Sequence, residues 1–442
     1  MSQNNMTEDE ALSALMSYVF SGGLGAPTGK DAGYSLIEAT PTSFSWSVAV
    51  EGGDEASAHA DRYRINIDRQ SGQIASPNPV AISETEQAQA IALATGQTLT
   101  SSTRFLDGAH SISYKVTVEE NPDIAYLIHL YLHGNVASME SLITRLSRTP
   151  KAISHNILPI PPFFPIPGER QRQETTGLGR QISLFVPGVL ASTIYPDLPH
   201  EDKLVFIQKV ALAFAASWSI SLPDPIMIGG LYATTDSDNI ILNVQSERHH
   251  GLGGPFPSVR EYLESHIKAS FRALEKQQGI EAFKMKYLER IGNFVRTRLH
   301  KISPIVEDVP IVVLHSNMGP HNIIVSSDEP TTFKAIIGWA FVASEPFLAV
   351  HRTVEAYFRR PALNGFGPEY DRADELREAF WKAIPYWTRW GETDAAQVFR
   401  EWFQFGLFMK PEVRPADLPE AESQAFWSEN VRVVEEFLNR YE

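Results

Sequence analysis

Apolar positions change period several times along the chain, and each change marks an element. In residues 7–20, Leu12, Leu15, Met16 and Val19 stand at i, i+3, i+4 and i+7, the stripe of an amphipathic helix, and Gly22-Gly23 ends it. Strict alternation then takes over in Phe44, Trp46, Val48 and Val50, and again in Tyr63, Ile65 and Ile67. Both runs predict antiparallel strands with one packed face. Asp68 to Ile74 reads as a turn into a further short strand, and residues 75–83, ASPNPVAIS, as a linker. Residues 1–80 are therefore expected to form a small helix-plus-antiparallel-sheet module.

A helical stretch follows over 84–98. FLDGAHSISYKV and IAYLIHLYL then predict strands between Thr103 and Leu132, parted by a polar turn at Glu119 to Asp123. The five prolines of HNILPIPPFFPIPG (155–168) leave no usable helix period and predict a rigid connection. Residues 201–218 read as a long apolar helix, and helices continue to about 303. Between 311 and 345 two β-branched-rich runs flank a turn, and the second ends in Gly338-Trp339. After 346 the chain is helical and aromatic, with Phe380, Trp381, Trp387, Trp390 and Trp402 among many such residues.

At 442 residues and 43% hydrophobic content the chain is long enough for two to three domains with well-formed cores. A formal charge of −15 argues against broad attraction to nucleic acid or to anionic membranes, so neither is expected as a partner. Zero cysteines exclude disulfides, thiol nucleophiles and thiolate metal sites. The polar, acidic opening MSQNNMTEDEALSAL predicts no secretory signal, and Val210 to Leu222 is too short and too interrupted by serine to span a bilayer. A cytoplasmic protein is the expectation.

The segment 311–345 resembles the catalytic segment of aminoglycoside-phosphotransferase-like kinases. That family carries His-x-Asp-x-x-x-x-Asn, which stands here as His315-Ser316-Asn317-Met318-Gly319-Pro320-His321-Asn322; its Ile-Asp-Trp stands here as Ile337-Gly338-Trp339. The segment Gly253-Gly254-Pro255-Phe256-Pro257-Ser258 through Leu263 is similar to one common in fungal-type members, with Ser258 and Glu261 reading as a helix capping box. The resemblance implies an α+β, bilobal protein-kinase-like fold: an N-lobe and hinge over 84–185, and a mostly helical C-lobe over 186–442. It also implies roles. Gly108 takes the phosphate-covering turn, His129 the place of the phosphate-gripping cation, and Glu140 that of the glutamate which positions the cation. Gln181 to Gly188 take the hinge, and the C-terminal helices with Trp387, Trp390 and Trp402 the acceptor wall.

Two carboxylates are missing from this frame. Asn317 replaces the catalytic aspartate and has no useful basicity; Gly338 replaces the metal-binding aspartate and offers no ligand, leaving only Asn322. If each loss removes roughly 3–4 kcal/mol of transition-state stabilisation, useful phosphotransfer is disfavoured. Asp328, Glu329 and Glu345 are the candidates for displaced carboxylates. What remains at the centre is His315, Asn317, His321 and Asn322, with Trp339 beside them, a set competent for metal-free acid–base work. The leading reading is thus a kinase-fold protein without conventional phosphotransfer, needing no cofactor or metal. It binds an apolar or aromatic small molecule, with isomerase-, dehydratase- or cyclase-type chemistry as its enzymatic form. One competing reading is an active small-molecule kinase using ATP and magnesium. Another is a non-enzymatic interaction protein that meets a protein partner through residues 1–80.

Overall fold

The computed structural model describes residues 11, 15, 32–39, 43–50, 61–68, 78–79, 81–107, 111–131, 159–176, 178–223, 225–236, 239–247, 251–277, 279–339, 342–361, 367–411 and 427–442. The chain divides into two compact units, residues 1–140 with 161–185, and residues 141–160 with 186–442.

The first unit is dominated by antiparallel sheet. Strands β1 (Ala32–Ala39), β2 (Ser43–Val50), β3 (Asp61–Asp68) and β4 (Asn78–Pro79) form one four-stranded sheet in that order. Register sets Phe44 against Ile67, Trp46 against Ile65 and Val48 against Tyr63, so the two alternating runs pair position for position. The expected linker differs from the structure here. Asn78-Pro79 pairs with Tyr63 and Arg64 as an edge strand, a place where proline's missing N–H leaves no ladder bond unmade. Of the expected N-terminal helix, Ala11 and Leu15 are described; both are helical and buried.

Helix α1 (Glu84–Thr95) opens on a capping box between Ser83 and Glu86 and stops at Gly96, whose φ of 72° suits a residue without a Cβ. A second sheet follows: β5 (Leu99–Asp107), β6 (Ser111–Val118), β7 (Ala125–Tyr131), β8 (Phe163–Phe164) and, after α2 (Glu169–Thr176), β9 (Gly179–Leu184), with strand order β5-β6-β7-β9-β8. Ile91, Ile112, Val116, Ile128, Leu130 and Ile182 make the core between α1 and this sheet. On α2, Glu169 accepts from the Arg180 guanidinium at 2.7 and 2.9 Å and from the Arg180 backbone N–H at 2.7 Å, a buried pair that ties α2 to β9. Composition alone gave no sign of that pair, because partners 11 residues apart share no helix face.

The second unit carries β10 (Val189–Leu190), α3 (Ala191–Ile194), α4 (His200–Trp218), β11 (Gly229–Asp236), β12 (Asn239–Gln245), α5 (Val259–Lys276) and α6 (Glu281–Thr297). Next come β13 (Ile311–His315), β14 (Ile323–Val325), β15 (Phe333–Ile336) and β16 (Val342–Pro346). The helices α7 (His351–Val354), α8 (Ala373–Lys382), α9 (Pro385–Gly391), α10 (Asp394–Phe408) and α11 (Ser428–Tyr441) complete it. Its strands form two small antiparallel sheets, β10-β14-β15 and β12-β11-β16-β13. Ser258 caps α5 as expected, accepting from the Glu261 N–H, but the return bond of a capping box is not made. Instead the Glu307 carboxylate accepts from the Val259 and Arg260 N–H groups at 2.8 and 3.1 Å, so the free amides of this helix end are met by a residue 48 positions away. Among the described residues no helix is long and apolar enough to cross a membrane.

Candidate functional site

The loop between β13 and β14 is placed by two hairpin-like pairings. His315 ends β13 opposite Val342 of β16, and Ile323 begins β14 opposite Ile336 of β15. One step beyond that second pair, the Ile337 N–H donates to the Asn322 carbonyl at 2.9 Å. Asn322 and Gly338 are thereby forced into contact.

Their contact is the defining feature of the site. Gly338 has φ +79°, a left-handed conformation, and a Cβ built on it would stand 2.7 Å from both Cγ and Nδ2 of Asn322. The space beside residue 338 is filled by the Asn322 amide, which donates through Nδ2 to the Asn317 carbonyl at 2.7 Å. Gly338 is thus a remodelled backbone as well as a missing carboxylate, because the left-handed region disfavours any residue with a Cβ.

The loop is closed on itself elsewhere too. The Asn317 N–H donates to Nδ1 of His315 at 3.3 Å, so Nε2 of that ring carries the proton and donates to the Ile337 carbonyl at 3.0 Å. Burial lowers the His315 pKa to about 4, against the bond to Ile337, and Trp339 packs edge-on at 4.8 Å with its Nε1–H on the Ile336 carbonyl. His315 is neutral, with both nitrogens engaged, and acts as a strut. The Thr353 hydroxyl donates to the Ser316 carbonyl at 3.0 Å and the Tyr357 hydroxyl to the Met318 carbonyl at 2.8 Å. His321 differs. Nε2 lies 3.0 Å from Oδ1 of Asn317, the residue keeps an exposed edge, and desolvation by its loop neighbours holds its pKa below the ordinary value. With the proton on Nε2 toward Oδ1, Nδ1 is left as the lone-pair nitrogen, a neutral imidazole oriented by an amide.

Behind the loop sits a buried polar cluster. Glu345 is fully buried on β16 and accepts from the Ser316 hydroxyl at 3.0 Å, from the Tyr262 hydroxyl at 3.2 Å and from the Arg352 guanidinium at 3.4 Å. Burial drives the Tyr262 pKa well up. For Arg352 burial pulls down, but Tyr262 and Glu345 outweigh it and the guanidinium stays charged. Glu345 therefore serves the fold and is not turned toward Gly338. Asp328 and Glu329 are exposed on the turn at the far end of the β14-β15 hairpin. Among the described residues no group of three or more His, Asp or Glu side chains converges as a metal site. The donors around Gly338 do not fit magnesium: residue 338 offers no side chain, the Asn322 amide supplies a single neutral oxygen, and each of these carboxylates is engaged elsewhere or distant.

The other residues singled out from sequence fall as follows. His129 lies on β7 with Nδ1 2.9 Å from the Ser113 hydroxyl and Nε2 3.1 Å from the Ser183 hydroxyl; desolvation lowers its pKa to about 4. It is an uncharged cross-strand link, so it supplies no cation for phosphate. Trp402 is fully buried among Phe294, Phe437 and Tyr441, and so belongs to the core of the helical unit instead of a ligand wall. Trp387 is half-buried, packing edge-on against Trp218 at 4.9 Å and beside Phe347 at 5.3 Å, and Trp390 is half-buried as well. Gly108 and Glu140 lie outside the described residues.

A pocket of about 220 Å³ opens beside the loop, wholly within the second unit. Pro320 and His321 form one side; Ser192, Tyr195, Pro196, Arg360 and Tyr370 line others. A larger depression of about 630 Å³ lies elsewhere in the unit, but none of its lining residues belongs to the loop. Its charges pair with one another, as Arg359 does with Glu355, Glu369 and Glu429. Sequence reading missed both Arg360 and the Ser316–Glu345–Arg352–Tyr262 cluster. A run such as Arg359-Arg360 after a buried helix was the available signal, with nothing local to say which arginine is paired.

No protein-family model matches the chain, and no curated protein does. Solved structures similar to it include a streptomycin-ATP-APH(2")-IIa ternary complex, 13% identical with a TM-score of 0.44, covering 81% of this chain and 99% of that one. A macrolide 2'-phosphotransferase type I is 12% identical with a TM-score of 0.41, covering 82% and 98%. An ADP-bound aminoglycoside phosphotransferase APH(2'')-Ib is 11% identical with a TM-score of 0.40, covering 77% and 92%. The chain's own element order runs from an antiparallel five-stranded sheet to helices with two small antiparallel sheets, and a His-x-x-x-x-x-x-Asn loop feeds a hairpin followed by Gly338-Trp339. This is a mixed α+β protein built of antiparallel sheets and helices.

Proposed function

We propose that this chain is a kinase-fold protein that has given up magnesium-dependent phosphotransfer and binds an apolar or aromatic small molecule at the β13-β14 loop, without metal or nucleotide. The observation that carries this reading is the Asn322 amide packed where a side chain at 338 would have to stand, 2.7 Å from the position of its Cβ. Replacing one residue does not reopen that space, since the backbone at 338 is itself left-handed. The mostly apolar pocket beside Pro320 and His321 supports the small-molecule part. If the bound molecule is transformed, the group with the right chemistry is His321, neutral near pH 7 and oriented by Asn317.

The test is a titration of the full chain with ATP and magnesium, followed by an assay for phosphorylation of hydroxyl compounds. An unchanged melting curve at millimolar nucleotide and no phosphorylated product are expected. Magnesium-dependent stabilisation together with turnover would sink the proposal and restore the small-molecule-kinase reading.

A further inference from the structure

The pocket beside the loop has a charge pattern that its apolar lining hides. Pro196, Pro320, Pro361, Tyr195 and Tyr370 give it apolar and aromatic walls. Behind Tyr370, the Lys203 ammonium sits 4.1 Å from the ring centroid and donates to the Pro196 carbonyl at 2.8 Å. Arg360 lines the pocket and makes no ion pair among the described residues. Its neighbour Arg359, also on the wall, is already neutralised by Glu355, Glu369 and Glu429. One carboxylate, Asp197, acts on the same Lys203 and Tyr370 that Arg360 acts on. Arg360 is thus the one arginine on the pocket wall with no ion pair among the described residues, in a chain whose formal charge is −15. An unpaired guanidinium on an apolar and aromatic wall is a feature that a monoanion would complete.

We infer that this pocket takes a small aromatic carboxylic acid, its ring against Tyr370 and the prolines and its carboxylate on Arg360. The inference rests on the reading of this loop as a small-molecule site and names the ligand class. Size agrees: a cavity of about 150 Å³ takes a benzene ring, and about 220 Å³ leaves room for a short polar arm. The charge agrees as well: one unpaired guanidinium on the wall matches one negative charge, so a dianionic phosphate is left with an uncompensated charge. The planar guanidinium matches a carboxylate edge-on through two parallel N–H bonds.

Calorimetric titration of the full chain with benzoate, benzamide and phenyl phosphate tests the inference. Benzoate is expected to bind at least tenfold more tightly than either analogue. Arg360→Gln, at an exposed position that leaves the core intact, should bring benzoate down to the benzamide level, and Arg360→Lys should keep part of the preference. Ala356→Phe, also exposed on the pocket wall, should abolish binding of all three. Benzoate binding no tighter than benzamide, a preference for phenyl phosphate, indifference to Arg360→Gln, or no binding by any probe each overturns it. The two proposals fail separately: kinase turnover removes the phosphotransfer-loss reading and leaves a carboxylate preference standing, whereas a benzamide preference removes the carboxylate and leaves the small-molecule reading.

Discussion

Replacing Gly338 with alanine probes the closure at the centre of the site. A Cβ there meets the Asn322 amide at 2.7 Å and must be held at φ +79°. The left-handed conformation costs an L-residue roughly 1–2 kcal/mol. Displacing the Asn322 amide also loses its bond to the Asn317 carbonyl, about 1 kcal/mol net. The sum is about 2–3 kcal/mol, which at ~2–4 °C per kcal/mol for domains of this order lowers the melting temperature by roughly 5–10 °C. Urea denaturation of wild type, Gly338→Ala, Asn322→Ala and the double variant separates the two parts. Removing the amide relieves the clash and leaves the backbone penalty, so a coupling energy of about 1 kcal/mol is expected from the cycle. A Gly338→Ala change below ~0.5 kcal/mol, or a cycle with no coupling, would refute the reasoning. The same geometry forecasts that Asn317→Asp with Gly338→Asp gains no ATP-magnesium stabilisation, because both carboxylates arrive without the space one of them needs.

Three further outcomes follow from the buried polar groups. Arg352→Met should cost about 3–5 kcal/mol by leaving Glu345 buried without its cation, while Arg352→Met with Glu345→Gln should recover much of that; urea midpoints that rank the double below the single would contradict it. His129 and His315 have pKa values lowered from 6.5 to about 4, and His351 to about 3, all through burial first. Their neutral forms therefore support the fold fully above pH 6.5, and that support falls away as pH drops from 6.5 toward 4, where the unfolded chain takes up protons that the folded one refuses. Stability measured from pH 7 to pH 4.5 should decline accordingly, and a flat profile would oppose the assignment. His351 also has neither ring nitrogen hydrogen-bonded, next to Trp381 at 5.9 Å. His351→Leu is thus expected to be neutral or stabilising by up to ~1–3 kcal/mol and to shallow the pH slope, which a loss of more than about 1 kcal/mol would rule out.

What the sequence determined by itself is what local period and spacing carry. The alternation of Phe44, Trp46 and Val48 and of Tyr63, Ile65 and Ile67 marks two strands that pair, Ser258 before a helical run marks a cap, and His315 seven positions before Asn322 sets a loop of defined length. Those are properties of neighbours along the chain, and they were legible. Whether Glu345 faces Gly338 or Arg352 was decided only in three dimensions, since its partners Tyr262, Ser316 and Arg352 come from three separate elements. The same holds for Glu307 on the end of α5, for Trp402 in the core, and for Arg360 left over when Arg359 takes the available acids. Most consequentially, a glycine at 338 reads in sequence as a carboxylate deleted. Only the tertiary structure reveals the φ of +79° and the Asn322 amide filling the space, because neither a backbone hand nor an occupied volume is written in residue identity.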